Sequence, residues 1–249
     1  MDRRTFVQAL AVLGNAAWQP ARAAGTPIRM AYFDNYPPLS MRDAHGRMVG
    51  ALLDGVALVG RSAGLTFENH GYPWVRAQAL VEAGKLDGFC TTVTGARRAY
   101  VDFCPSPILT ERFGIFHRVD DRRMQNLRTV PDLRAFNQGN YRGAGYPEEY
   151  LEPTFIQWYK DEETVLRMID RGSLDIYIEG ETSTAQKLKE LGLSHRIAFT
   201  PVPFLPPAQF CLGLRRSYPN ARELVAHLES AIRAARASGQ LDKLLDKYP

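Results

Sequence analysis

Strand and helix signals alternate along this chain, and that alternation narrows the fold more than any other feature. "IRMAYF" (28–33) is a short apolar run ended by "DNYPPL", where Pro37 and Pro38 interrupt regular structure. "MVGALLDGVALVGRSAG" (48–64) carries apolar residues at helical spacing and stops at Gly64. "LTFENHGY" reads as a strand, "VRAQALVEAG" as a helix closed by Gly84, and "DGFCTTV" as a strand again. The order β-α-β-α implies a parallel sheet with crossover helices.

The second half repeats a phrase of the first. "ALVEAGKLDGFC" (79–90) and "VLRMIDRGSLDIYI" (165–178) both read helix, Gly-x-Leu-Asp, strand. A helix–glycine–strand loop is common, but the shared Leu-Asp pair points to two α/β lobes of similar design. "QFCLGL" (209–214) is a further strand. "ARELVAHLESAIRAARASGQLDKLLDKY" closes the chain as a helix, with Leu224, Leu228, Ile232 and Ala235 on one stripe. The proline-rich "TPVPFLPP" (200–207) and the charged "HRVDDRRMQN" (117–126) read as extended crossings. They divide the chain into an outer lobe, 26–117 plus 206–249, and an inserted lobe, 118–205.

Residues 1–23 stand apart. Arg3 and Arg4 precede a mildly apolar run, and Ala21-Arg22-Ala23 offers a cleavage pattern, so a twin-arginine export signal cut after Ala23 is expected. The apolar run is shorter than the roughly 20 residues that span a bilayer. Its removal takes away three arginines and one aspartate, lowering the formal charge from +4 to +2. With no Lys/Arg run beyond two residues and no basic-aromatic stripe, nucleic acid is not an expected partner. The product would be periplasmic and monomeric. In that oxidising compartment three cysteines allow one bridge, and Cys90–Cys104 is the pairing that the segment ends suggest; otherwise all three are small buried hydrophobes. The five histidines show no zinc spacing, and no catalytic triad appears, so no metal, cofactor or catalytic residue is assigned.

"TTVTGARRAYVDF" (91–103) places two arginines between apolar segments. Either they lie on an exposed helix face or one of them holds an anion. A planar guanidinium suits a carboxylate because its forked donors meet both oxygens.

Four stretches in this order give the chain its likeness. They are "YPPLSMRDAHGRMVGALLDGVALV", "YPWVRAQALVEAGKLDG", "TGARRAYVDFCPSP" and "YRGAGYPEEYL". The chain resembles the extracytoplasmic solute-binding proteins of ABC transporters, family 3, the amino-acid-binding type, in a subgroup with Pro-Trp-x-Arg. The resemblance implies a two-lobed α/β fold of the type II periplasmic-binding-protein class. Each lobe would be a mostly parallel sheet flanked by helices, with the ligand in the cleft between. It also implies a small-molecule ligand and a permease partner in the inner membrane.

By the same resemblance, Arg97 takes the ligand's carboxylate while Arg98 is solvated. Thr92, Thr94 and the Gly143-Ala144-Gly145 turn add donors. Phe33, Tyr36, Trp74, Cys90 and Tyr146 line the site. Family members that bind amino acids place an aspartate where this chain has Gly180, flanked by Glu179 and Glu181; either glutamate takes its role, or the ligand lacks an ammonium. Phe33, Leu39 and Gly95 also depart from the family pattern. The leading expectation is a receptor for a small carboxylate-bearing solute. The alternatives are an enzyme similar to cyclohexadienyl dehydratase, with Glu179 or Glu181 as acid, and an accessory or sensory subunit of a redox system.

Overall fold

The computed structural model describes residues 26–248, so the expected export signal lies outside the described residues. The first half contains β1 (Ile28–Phe33), β2 (Asn35–Tyr36), β3 (Ser40–Arg42), β4 (Met48–Val49), α1 (Ala51–Ala63), β5 (Phe67–Tyr72), α2 (Trp74–Glu82), β6 (Gly88–Thr92), α3 (Gly95–Arg98), β7 (Val101–Phe103) and β8 (Leu109–Glu111). Then come β9 (Phe113–Arg118), β10 (Gln138–Tyr141), α4 (Gly145–Tyr150), β11 (Ile156–Tyr159), α5 (Glu162–Asp170), β12 (Ile176–Gly180), α6 (Glu181–Leu191) and β13 (Ile197–Pro201). The chain returns through β14 (Ala208–Arg215), α7 (Ala221–Ala237) and α8 (Gln240–Leu245).

Two sheets form the two lobes. The first runs β5-β1-β6-β14-β7, with β8 also on β14; the second runs β11-β10-β12-β9-β13. In each, three parallel strands are followed by an antiparallel strand that belongs to a crossing between lobes. β6 and β12 therefore occupy equivalent central places.

The repeated phrase has a physical purpose. In the first copy Leu86 is buried and Asp87 accepts from the backbone N–H and the side chain of Arg29 in β1. In the second, Leu174 is buried and Asp175 accepts from the N–H of Asn137, just before β10. Each aspartate thus ties the start of its own strand to the start of the parallel neighbour. Each glycine, Gly84 and Gly172, takes the left-handed conformation that ends the preceding helix.

Three expectations are corrected. Met48 and Val49 form β4, and the first helix starts only after Gly50. A Cβ at Gly50 would lie 2.4 Å from the Leu39 carbonyl oxygen, so only glycine fits this corner. The first change of sheet falls at Arg112, not after 117, because β9 pairs with β12 and β13 throughout. The charged "HRVDDRRMQN" is instead the end of β9 and a loop in which Arg118 pairs with Asp120, and Arg123 with Asp121 and Asp175. Finally, all three cysteines are free and buried. Leu212 of β14 pairs with Cys90 on one side, and its carbonyl accepts from the N–H of Cys104 on the other. A strand between them puts the two cysteines about 10 Å apart, beyond the reach of a disulfide.

Candidate functional site

The C-terminal ends of β6 and β12 meet across the cleft, the place where open α/β sheets collect ligand-binding groups. β6 ends at Thr92. Thr94 then starts the short α3 by accepting from the N–H of Arg97 at 3.3 Å. That cap turns the chain back, so Arg97 reaches under the end of the strand it has just left.

Arg97 is 2 % exposed. Its Nε donates to Gln78 Oε1 at 3.0 Å, and Nη1 donates to the carbonyl and hydroxyl oxygens of Thr92 at 2.8 and 2.7 Å. Nη2 donates to the Gly143 carbonyl at 3.2 Å, and the guanidinium carbon lies 5.2 Å from the Trp74 ring centroid. Every one of these partners is neutral. Among the described residues Arg97 has no salt bridge, and burial lowers its affinity for its own proton.

Glu179, at the end of β12, is the opposite case. It is 2 % exposed, with Oε1 accepting from the Tyr36 hydroxyl at 2.9 Å and from the Gly180 N–H at 3.1 Å. Burial above all, and then the charge of Glu162, push its carboxyl up to about 8. It too makes no salt bridge among the described residues. One cavity is lined by both groups, by Thr91, Thr92 and Cys90, and by an aromatic wall of Phe33, Tyr36, Trp74, Tyr141 and Tyr146. Phe33 stacks on both Tyr36 and Trp74, at 5.8 and 6.5 Å between centroids. The Tyr146 hydroxyl donates to the Pro206 carbonyl at 2.5 Å, tying this wall to the second crossing.

The sequence-derived set is brought together with three exceptions. Glu181 begins α6, is partly exposed, and pairs with Arg112 at 2.5 Å; β12 stops at Gly180, so the two glutamates do not share a face. Gly143 is an acceptor rather than a donor, since its carbonyl receives both Arg97 and Gln78. Thr94 is buried and acts as the α3 cap, outside the cavity lining. Gly145 serves by its size, because a Cβ there would lie 2.6 Å from Arg97 Nη1. Arg98 is exposed beside it. Sequence reasoning missed Thr91, Gln78, Tyr141, Phe113 and Phe210. Tyr141 ends β10 two residues before Gly143, but the strand "QGNY" carries no apolar alternation that would have marked it.

Among the described residues no group of three or more His, Cys, Asp or Glu side chains is placed to hold a metal, and no helix is long and apolar enough to cross a membrane.

Residues 28–249 match the family described as bacterial extracellular solute-binding proteins, family 3. No curated protein matches the sequence. Among solved structures, the chain is similar to a histidine kinase sensor domain related to periplasmic binding proteins, at 18% identity and a TM-score of 0.74, covering 91% of this chain and 97% of that one. It is similar to the substrate-binding protein of an amino acid ABC transporter at 17% identity and 0.70, covering 90% and 99%. The arginine-, lysine-, histidine-binding protein ArtJ from Geobacillus stearothermophilus is similar at 16% identity and 0.71, covering 90% and 95%. At such identities these structures speak to the fold, which is the two-lobed binding-protein fold.

Proposed function

Because the chain belongs to the bacterial extracellular solute-binding proteins, family 3, we propose that it is a periplasmic receptor that closes over a small zwitterion of the amino-acid type. In this reading Arg97 takes the carboxylate, Glu179 takes the ammonium, and the aromatic wall covers the short body between them. The closed receptor then passes its solute to an ABC-type permease.

The observation that carries the reading is a buried guanidinium and a buried carboxyl that line one cavity, neither with a salt-bridge partner among the described residues. A buried ion is costly unless it is paired. A zwitterion supplies each with a partner of opposite sign, its ammonium drawing Glu179 into the ionised form. The family resemblance independently assigns the anion to Arg97.

Calorimetry with the standard amino acids, and with matched carboxylic acids that lack the amine, tests this. Arg97→Ala is expected to cost about 2–5 kcal/mol of binding, with Arg98→Ala near wild type. Glu179→Gln is expected to erase the preference for the amine-bearing ligand. Binding of equal strength in all variants, or no preference for the amine in the wild type, would overturn the assignment.

A further inference from the structure

Behind Glu179, on the hinge side, lies a second buried carboxyl that the ligand reading does not use. Glu111 ends β8, the last residue but one before the chain enters the second lobe, and is 4 % exposed. Its Oε1 accepts from the N–H of Ser183 in the first turn of the eleven-residue α6, at 2.9 Å. Its Oε2 is buried and has no hydrogen-bond partner.

Gly180 separates the two acids. Its N–H donates to Glu179 Oε1 at 3.1 Å, while a Cβ on it would lie 2.3 Å from the nearer Glu111 oxygen. The nitrogen and Cβ of one residue are about 2.5 Å apart, so the two carboxyls are no more than about 8 Å from each other. This explains the glycine between two glutamates in "IEGET": any side chain there would expel Glu111.

We propose that Glu111 and Glu179 form an electrostatically coupled carboxyl pair across Gly180, in which the charge of one holds the proton on the other, so that a cation arriving in the cleft at Glu179 drives the Glu179 proton out to solvent. Glu111 is then a positioning and specificity residue for cation-bearing solutes, acting from the hinge strand without touching the ligand. Two buried anions this close oppose each other, and ionisation of one holds the proton on the other. The helix N-terminus favours charge on Glu111. Its buried, unpartnered oxygen works against that charge.

The surrounding groups do not cancel the pair. Glu179 faces Tyr36 from β2, Tyr141 from β10, Tyr146 from α4, Tyr177 from its own strand, Glu162 from α5 and Arg97 from α3. Glu111 faces the α6 amides, Glu162 and Tyr36, and lines a second cavity with Tyr248 and with Arg236 of α7, which is paired with Asp242 of α8. Lys187, whose charge reaches Glu162, is taken up by Asn35 and Glu190. Burial accordingly raises Glu111 to about 7, close to its partner.

The pair can be read without any ligand, by following the side-chain carboxyl carbons of ¹³C-glutamate-labelled protein through a pH titration by NMR. The expected result is that Glu111→Gln lowers the Glu179 midpoint by about one pH unit, and Glu179→Gln lowers that of Glu111 similarly. Midpoints unmoved by either substitution overturn the proposal. Should Glu111→Gln fail to fold, the wild-type curves decide. Two-step titration of both carbons at shared midpoints supports the pair, and two independent single steps refute it. The functional consequence rests on Glu179 as the ammonium partner. Loss of amine preference in Glu179→Gln tests that reading separately, so failure of one is distinguishable from failure of the other.

Discussion

Arg97 is held by bonds from both lobes, which makes its neighbours intolerant of bulk. A methyl group on Gly145 would come within 2.7 Å of three guanidinium atoms that other bonds already fix. Gly145→Ala is therefore expected to force the second lobe outward or unseat the guanidinium, at about 1–3 kcal/mol of closure. A larger radius of gyration by small-angle scattering, with weakened binding, is the expected readout. A compact variant of wild-type affinity would show that the cleft yields more easily than its contacts suggest. Arg97 itself was legible, because an always-charged side chain between two apolar segments demands a reason. The choice between Glu179 and Glu181 was not. It depends on where β12 stops, and β12 stops at a glycine whose space is taken by Glu111, a residue distant in sequence. Glu111 sits in an alternation of Leu109, Glu111 and Phe113, a buried-face pattern that marks it only after the strand is known.

Among the elements, β6 and β12 do the same work in the two lobes, and the repeated helix-Gly-x-Leu-Asp-strand phrase announced both. What the phrase could not announce was the difference in burial of its two aspartates. Asp87 has a side chain only 4% exposed and receives Arg29 and Arg215, whereas Asp175 is 22% exposed and shares Arg123 with Asp121. Removing one partner of a buried charged pair costs about 3–5 kcal/mol, and surface pairs contribute about 1 or less. Asp87→Ala is thus expected to lower unfolding stability by about 2 kcal/mol, less than a fully buried pair because the Arg29 left behind is 41% exposed, and Asp175→Ala by about 1. Urea unfolding of both variants checks the order, and equal losses would mean that burial does not separate the copies. The first crossing was misplaced because charge density marks an exposed loop as readily as a hinge. The second, at the prolines, had a conformational signal that charge lacks.

For the molecule as a whole, the buried acids at the lobe junction set a pH window. Glu179 and Glu111 are raised to about 8 and about 7, from an ordinary value near 4.5. Between 4.5 and these values the folded chain holds protons that the unfolded chain has lost. The stability this contributes is complete below 4.5 and is lost as pH rises through 7 to 8. Several carboxylates run the other way, Asp87 and Asp161 among them. Burial pushes Asp87 up, but the bonds from Arg29 outweigh it; burial likewise pushes Asp161 up, and the bonds from Thr164 outweigh that. Both end below their ordinary value near 3.8, and their contribution is lost only as pH falls below it. The ligand-free protein should therefore be most stable near pH 4 to 5 and lose several kcal/mol by pH 8. Urea midpoints between pH 4 and 9 test this, with Glu179→Gln expected to flatten the fall because it removes one of the raised acids, which also include Glu111 and Glu162. An amine-bearing solute should restore stability above pH 7, where Glu179 is most easily ionised, more than a matched acid does. A midpoint that rises steadily from pH 5 to 8 would contradict the burial of these acids, and with it the account of the cleft as a site waiting for a cation.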